Sequence, residues 1–149
     1  MIEAVREFLS LFEGAPLEPQ ERLRALARAL DRLACAYHDT CTATDPGHYG
    51  KGESSDYKAA RSIVIKYFPD FGFYPVISPL SDISSPPEMG DAVDDLADIR
   101  SELLEARRLL ESGLASNAEA HFRSGYELHW GRHHLPGLRN YVSARIFEE

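Results

Sequence analysis

Gly90-Asp91-Ala92-Val93-Asp94-Asp95-Leu96-Ala97-Asp98-Ile99 sets carboxylates against apolar residues at helical spacing, and the fold is read outward from it. At 100° per residue, Asp91, Asp94, Asp95, Asp98, Glu102 and Glu105 fall within about 60° of one direction. Met89, Val93, Leu96, Leu103 and Leu110 point the opposite way. The spacing predicts an amphipathic helix over residues 88–110, introduced by Pro86 and Pro87 and ended near Gly113. Its acidic stripe reads as the solvated side, with Glu88 and Asp91 favoured beside the positive helix N-terminus. Asp95 is the exception, because it lies closest to the apolar edge. Continuing the seam 93, 96, 103, 110 requires positions 100 and 107, and both are arginine. Arg100 and Arg107 therefore either pair with something acidic, since unpaired burial is costly, or lay their stems along the core edge with the guanidinium in water.

The second informative run is His129-Trp130-Gly131-Arg132-His133. It sits in a last long helix that starts at Ser116, with Glu119 three residues on as a capping box, and runs to about residue 146. Pro136 predicts a kink there, or a break into two helices with Pro136 in the first turn of the second. Phe122, Tyr126, His129, Trp130, His133 and Tyr141 share one broad face, which puts two histidines at i and i+4. That spacing can chelate zinc or iron. A further ligand must come from elsewhere, and the zincin pattern is missing because Trp130 follows the first histidine where glutamate is required. The alternative is a pair of neutral imidazoles hydrogen-bonded to tyrosine or carboxylate in the core. His121 and His134 point away from this face.

Earlier in the chain, Ile2, Val5, Leu9 and Phe12 give a short first helix, broken at residues 14–16. Pro19 opens a second, whose Leu23, Leu26, Leu30, Leu33 and Tyr37 repeat a bundle seam to about Cys41. Residues 42–55 read as an exposed loop in which Ser54 or Ser55 caps a third helix, with Tyr57, Ala60, Val64 and Tyr67 as its buried stripe and Pro69 as its stop. Gly47-His48-Tyr49-Gly50-Lys51-Gly52 is not a phosphate loop, since its glycines are misplaced and no strand precedes it. Residues 69–87 carry five prolines yet stay apolar, which predicts an ordered extended segment laid across the bundle with its aromatic residues buried, or else a partner groove or lid. The fold class is all-α: one domain, 1–149, a bundle of about five helices with a long proline-rich ordered loop between the third and fourth.

At 149 residues the chain can bury roughly two-thirds of the surface its unfolded form exposes. A formal charge of −8 disfavours phosphate backbones and anionic lipid, so neither nucleic acid nor membrane is an expected partner. Arg22, Arg24, Arg28 and Arg32 read as a solvated helix face, and no apolar run approaches the ~20 residues that span a bilayer. Cys35 and Cys41 stand six apart, a rise of about 9 Å on different helix faces, which predicts free thiols. With an N-terminus that alternates charge with apolar residues, they point to a cytoplasmic protein. No cofactor fingerprint and no nucleophile motif is present, so no cofactor is expected.

At Asp94-Asp95-Leu96-Ala97-Asp98-Ile99, and at Tyr126, Trp130-Gly131 and Leu138-Arg139, the chain resembles the bacterial domain-of-unknown-function family 5063. The likeness covers roughly the C-terminal 60 residues, with an echo over residues 73–79. It implies an all-helical fold in which these two helices pack together and Asp95 or Asp98 pairs with Arg139. Aromatic or lysine residues can stand at the positions of His129 and His133 in that pattern, and an aromatic residue at Arg100, so the resemblance implies no metal site common to the family.

Two functions are expected from these residues. The leading one is a non-enzymatic binding or interaction module, meeting a protein partner or a second copy through residues 71–80 and the face of Trp130, with Asp95, Asp98, Arg100, Tyr126 and Arg139 as associated binding residues. The rival is a metal- or anion-binding enzyme or sensor, with His129 and His133 as ligands, Asp95 or Asp98 completing the shell, and Arg100 holding substrate. The rival requires both imidazoles and a carboxylate to converge on one point at ~2.0–2.2 Å.

Overall fold

The computed structural model describes residues 1–41, 56–78, 80, 82 and 84–148. Its elements are α1 (Ile2–Ser10), α2 (Pro19–His38), α3 (Tyr57–Tyr67), β1 (Phe73–Val76), β2 (Glu88–Asp91), α4 (Ala92–Glu111), α5 (Ala115–Leu128), the single turn α6 (Trp130–His133) and α7 (Leu135–Phe147). The fold is thus mostly helical, as the periodicity predicts, with one two-stranded sheet added.

The acidic helix begins four residues later than its apolar pattern suggests. Asp91 is its cap, accepting hydrogen bonds from the backbone N–H groups of Val93 at 3.0 Å and Asp94 at 3.4 Å. Residues Glu88–Asp91 instead pair antiparallel with Phe73–Val76, with Tyr74 opposite Gly90. A Cβ on Gly90 would lie 2.6 Å from Tyr74 Cζ, so glycine is what lets the tyrosine ring lie across the strand toward α4. Met89, expected on the apolar side of the helix, is consequently exposed on the hairpin.

α4 runs through the middle of the bundle, with α1 and α3 on one side and α5 and α7 on the other. Leu96, Ile99, Leu103 and Leu109 are wholly buried, and so is α2's seam of Leu26, Leu30 and Leu33. Because α4 is covered on two sides, its acidic stripe is not the solvated face that amphipathicity alone predicts: Asp95 is only 7% exposed, and Asp98 and Glu102 are half-buried.

Other boundaries shift by a few residues. α2 ends at His38, leaving Cys41 beyond it, and both cysteines are free and exposed. Arg22 of α2 does not join a solvated face; it is buried, its guanidinium 5.5 Å from the centre of the Phe68 ring. The cap of α3 is Asp56, which accepts from the Lys58 N–H, and Tyr57 is exposed while Ala60, Val64 and Tyr67 are buried. The loop at 42–55, with Ser54 and Ser55, lies outside the described residues.

The proline-rich segment covers the core with one face only. Within β1, Phe73 and Pro75 are exposed while Tyr74 is buried and Val76 half-buried, an alternation set by the strand's period of two; outside the strand Phe71 is half-buried and Ile77 and Leu80 are exposed. The last helix breaks as Pro136 requires, with that proline in the first turn of α7. It also breaks at His129, where φ −136° and ψ −100° end α5 and turn the chain so that Trp130 enters the core.

Candidate metal centre

The break between α5 and α7 does what a continuous helix could not. His129 joins α5 to α6 and His134 joins α6 to α7, so each imidazole hangs from a junction and both turn toward the middle of α4. Their Nε2 atoms lie 3.2 Å apart. Asp98 Oδ2 stands 3.7 Å from Nε2 of His129 and 3.5 Å from Nε2 of His134. Three atoms at these separations lie on a circle whose radius is about 2.0 Å, so one point is equidistant from all of them at the length of a zinc–nitrogen or zinc–carboxylate bond. Among the described residues this is the group of histidine, cysteine and acidic side chains whose ligand atoms cluster closely enough to hold a metal ion.

Behind the three donors stand two more carboxylates. The Nδ1–H of His134 donates to Asp95 Oδ1 at 2.7 Å, and Asp95 Oδ2 accepts from the Tyr74 hydroxyl. A carboxylate accepts only, so Asp95 fixes the proton on Nδ1 and leaves the lone pair of Nε2 aimed at Asp98 and His129. On the other flank Nδ1 of His129 is 3.6 Å from Glu102 Oε1, and Glu102 Oε2 takes a 2.9 Å contact from His121 Nε2. Each of the two imidazoles thus has a carboxylate near its far nitrogen, and for His134 the hydrogen bond is of the kind that orients histidine ligands in metal sites.

The electrostatics follow from this crowding. Burial pushes the Asp98 carboxyl up, with the charge of Asp94 adding to it and the two histidines opposing. The Asp95 hydrogen bond, aided by the charges of Asp95, Asp98 and Asp94, raises His134 against the opposing effect of burial. Glu102 is held low, first by its hydrogen bond with His121. Burial, then the bond to Asp95, drives the Tyr74 hydroxyl well above the ordinary phenol range, so it remains a donor. Access is graded: side-chain exposure is 45% for His129, 33% for Asp98 and 18% for His134, leaving one side of the trio open to solvent.

The residues singled out from the sequence separate in space. Asp95, Asp98 and His129 come together, but the second histidine is His134, the one expected to point away. His133 is exposed on α6 and lines a groove of about 1,090 Å³ between β1 and α7. Trp130 is fully buried, packed edge-on against Phe122 at 5.4 Å and Tyr126 at 5.1 Å, so it presents no face to a partner. Gly125 makes room for it, since a Cβ there would lie 2.6 Å from the indole nitrogen. Tyr126 is half-buried and stacks on Tyr37 at 4.0 Å. Arg139 pairs through two bonds with Asp31, at 2.6 and 2.9 Å, and not with Asp95 or Asp98. Arg100 leans over Phe12 of the α1 side, 5.5 Å from that ring, and cannot hold a substrate at the histidines.

Comparison with protein-family models, curated proteins and solved structures finds no match to this chain.

Proposed function

We propose that this protein binds one divalent transition-metal ion through Asp98, His129 and His134. The observation that carries the reading is the single point about 2.0 Å from three donor atoms that neither share an element nor need to move to reach it. Two imidazoles and one carboxylate suit zinc or iron(II), and exclude neither. Three protein ligands with one exposed side leave a coordination position for water or a second molecule, which is the architecture of a reactive or sensing centre and not that of a closed structural site. A bound ion would replace the proton that otherwise bridges the two Nε2 atoms.

The test is elemental analysis and native mass spectrometry of protein purified without a histidine tag, followed by zinc titration of the chelator-stripped chain. One zinc or iron per chain, lost in His129→Ala and in His134→Ala but kept in His133→Ala, is the expected result. No uptake by the wild-type protein would end the proposal.

The interaction-module reading keeps one supporting observation. Phe73 and Pro75 on β1 and Ile77 just beyond it, with Met89 opposite Pro75 on β2, make an exposed apolar outer face on the hairpin. A protein partner or second copy bound there is expected to be lost in Ile77→Ser, with light scattering reporting the change in mass; a wild-type monomer that captures no partner counts against it. Two exposed free thiols fit a reducing, cytoplasmic location. The net charge of −8 disfavours nucleic-acid partners, and no described helix is long and apolar enough to cross a membrane.

A further inference from the structure

The groups around the trio limit what its open position can accept. A divalent ion brings two positive charges. Facing them are Asp98 as a ligand, Asp95 behind His134, Glu102 behind His129, and Asp94, whose charge acts on both Asp98 and His134. The cation at this end of α4 is already committed: Arg61 is divided between Asp91 at 3.0 Å and Asp94 at 3.2 Å, so it and Asp91 cancel. His121 is held by Glu102. Arg132 and His133 of α6 line the groove with β1 and α7, where none of the three ligands contributes. Four carboxylates against two positive charges leave the loaded centre negative.

Resting on the metal reading above, we infer that the open coordination position takes uncharged donors, such as an amide carbonyl or a neutral amine, and turns away carboxylates and phosphates. A negative centre repels an approaching anion through Coulomb energy that a half-buried site screens only in part. Reactions that require a phosphate ester or an oxo acid to sit on the metal are therefore the wrong class for this site. Hydrolysis or sensing of a neutral amide, or capture of an amine, is the right one.

The probes are acetate and imidazole, added to protein loaded with cobalt(II) and followed by its visible absorption. Raising ionic strength from about 0.02 to about 0.2 M with sodium perchlorate screens repulsion. Acetate should then bind about two- to threefold more tightly while imidazole is unmoved. Asp94→Asn, which removes a charge without removing a ligand, should act in the same direction, tightening acetate about threefold and sparing imidazole. Acetate that weakens with salt, or that ignores Asp94→Asn, overturns the inference while leaving the metal site intact. A loaded protein that responds to neither probe has no open position and overturns it too. Failure to take up cobalt(II) is seen before any probe is added, and removes the metal reading along with it.

Discussion

α4 presents polar residues to both of its neighbours, and the two sides use them differently. Toward α5–α7, Asp95, Asp98 and Glu102 meet three histidines: Asp98, His129 and His134 converge on a common centre, and Asp95 and Glu102 hold the imidazoles from behind. Toward α1, Arg100 and Arg107 go separate ways: Arg107 reaches Glu13 at 3.0 Å on the surface, and Arg100 lies half-buried over Phe12 with no partner for its Nε among the described residues. Burial and the nearby charge of Arg107 lower the Arg100 pKa by more than Glu13 and Tyr67 raise it, the mark of a cation only partly compensated. Charge on a helix seam becomes a site only where a second element supplies converging partners. Without them, long side chains run along the core edge and send their charge to water.

The largest effects should come from the convergent side. Alanine at Asp98, His129 or His134 is expected to cost at least about 100-fold in zinc affinity, since each supplies one of three bonds and loss of an outer partner alone costs ~10- to 100-fold. Competition against a chromophoric chelator measures this. His133→Ala, one residue from the proposed ligand His134, should leave affinity unchanged; if it behaves like His134→Ala, the broken-helix geometry is wrong. Asp95→Asn keeps the shape but loosens its hold on the His134 proton, and should cost ~10- to 100-fold with the ion still binding one to one.

Zinc itself should raise the melting temperature. At a free concentration near 100 times Kd, binding adds about 2.7 kcal/mol, or roughly 5–10 °C for a chain of this size, and chelator should reverse it. Gly90→Ala tests the strand that positions Tyr74: a methyl group 2.6 Å from the ring should cost about 1–3 kcal/mol by thermal denaturation. Smallest of all, Arg100→Met should change stability by less than about 1 kcal/mol and metal affinity not at all, because the arginine is on the other side of α4. A loss of metal in Arg100→Met would erase the distinction between the two sides.

The sequence carried the helices well, because their apolar residues recur at three and four and their ends carry proline and glycine. Ala92–Glu111 and Pro19–His38 are both legible in this way. What it hid depended on tertiary contact. The acidic stripe of α4 reads as solvated until α5 and α7 cover it. Glu88 and Met89 read as helix until Tyr74 pairs opposite Gly90. The histidine pair differs from the helical spacing by one residue, because counting four positions along an unbroken helix joins His129 to His133, whereas a turn at each end of Trp130–His133 brings His134 round instead. Pro136 signals only the second break, because a proline suits the first turn of a new helix; the first break, at His129, has no such residue. Arg139 could not have been placed, since its partner Asp31 is 108 residues away.

The most direct test of the centre is a crystal of the untagged protein grown with zinc and measured at the zinc absorption edge. The expected result is one anomalous peak per chain, about 2.0–2.2 Å from Nε2 of His129, Nε2 of His134 and Oδ2 of Asp98. A peak at His133, or full zinc in the drop with no peak beside Asp98, would contradict it.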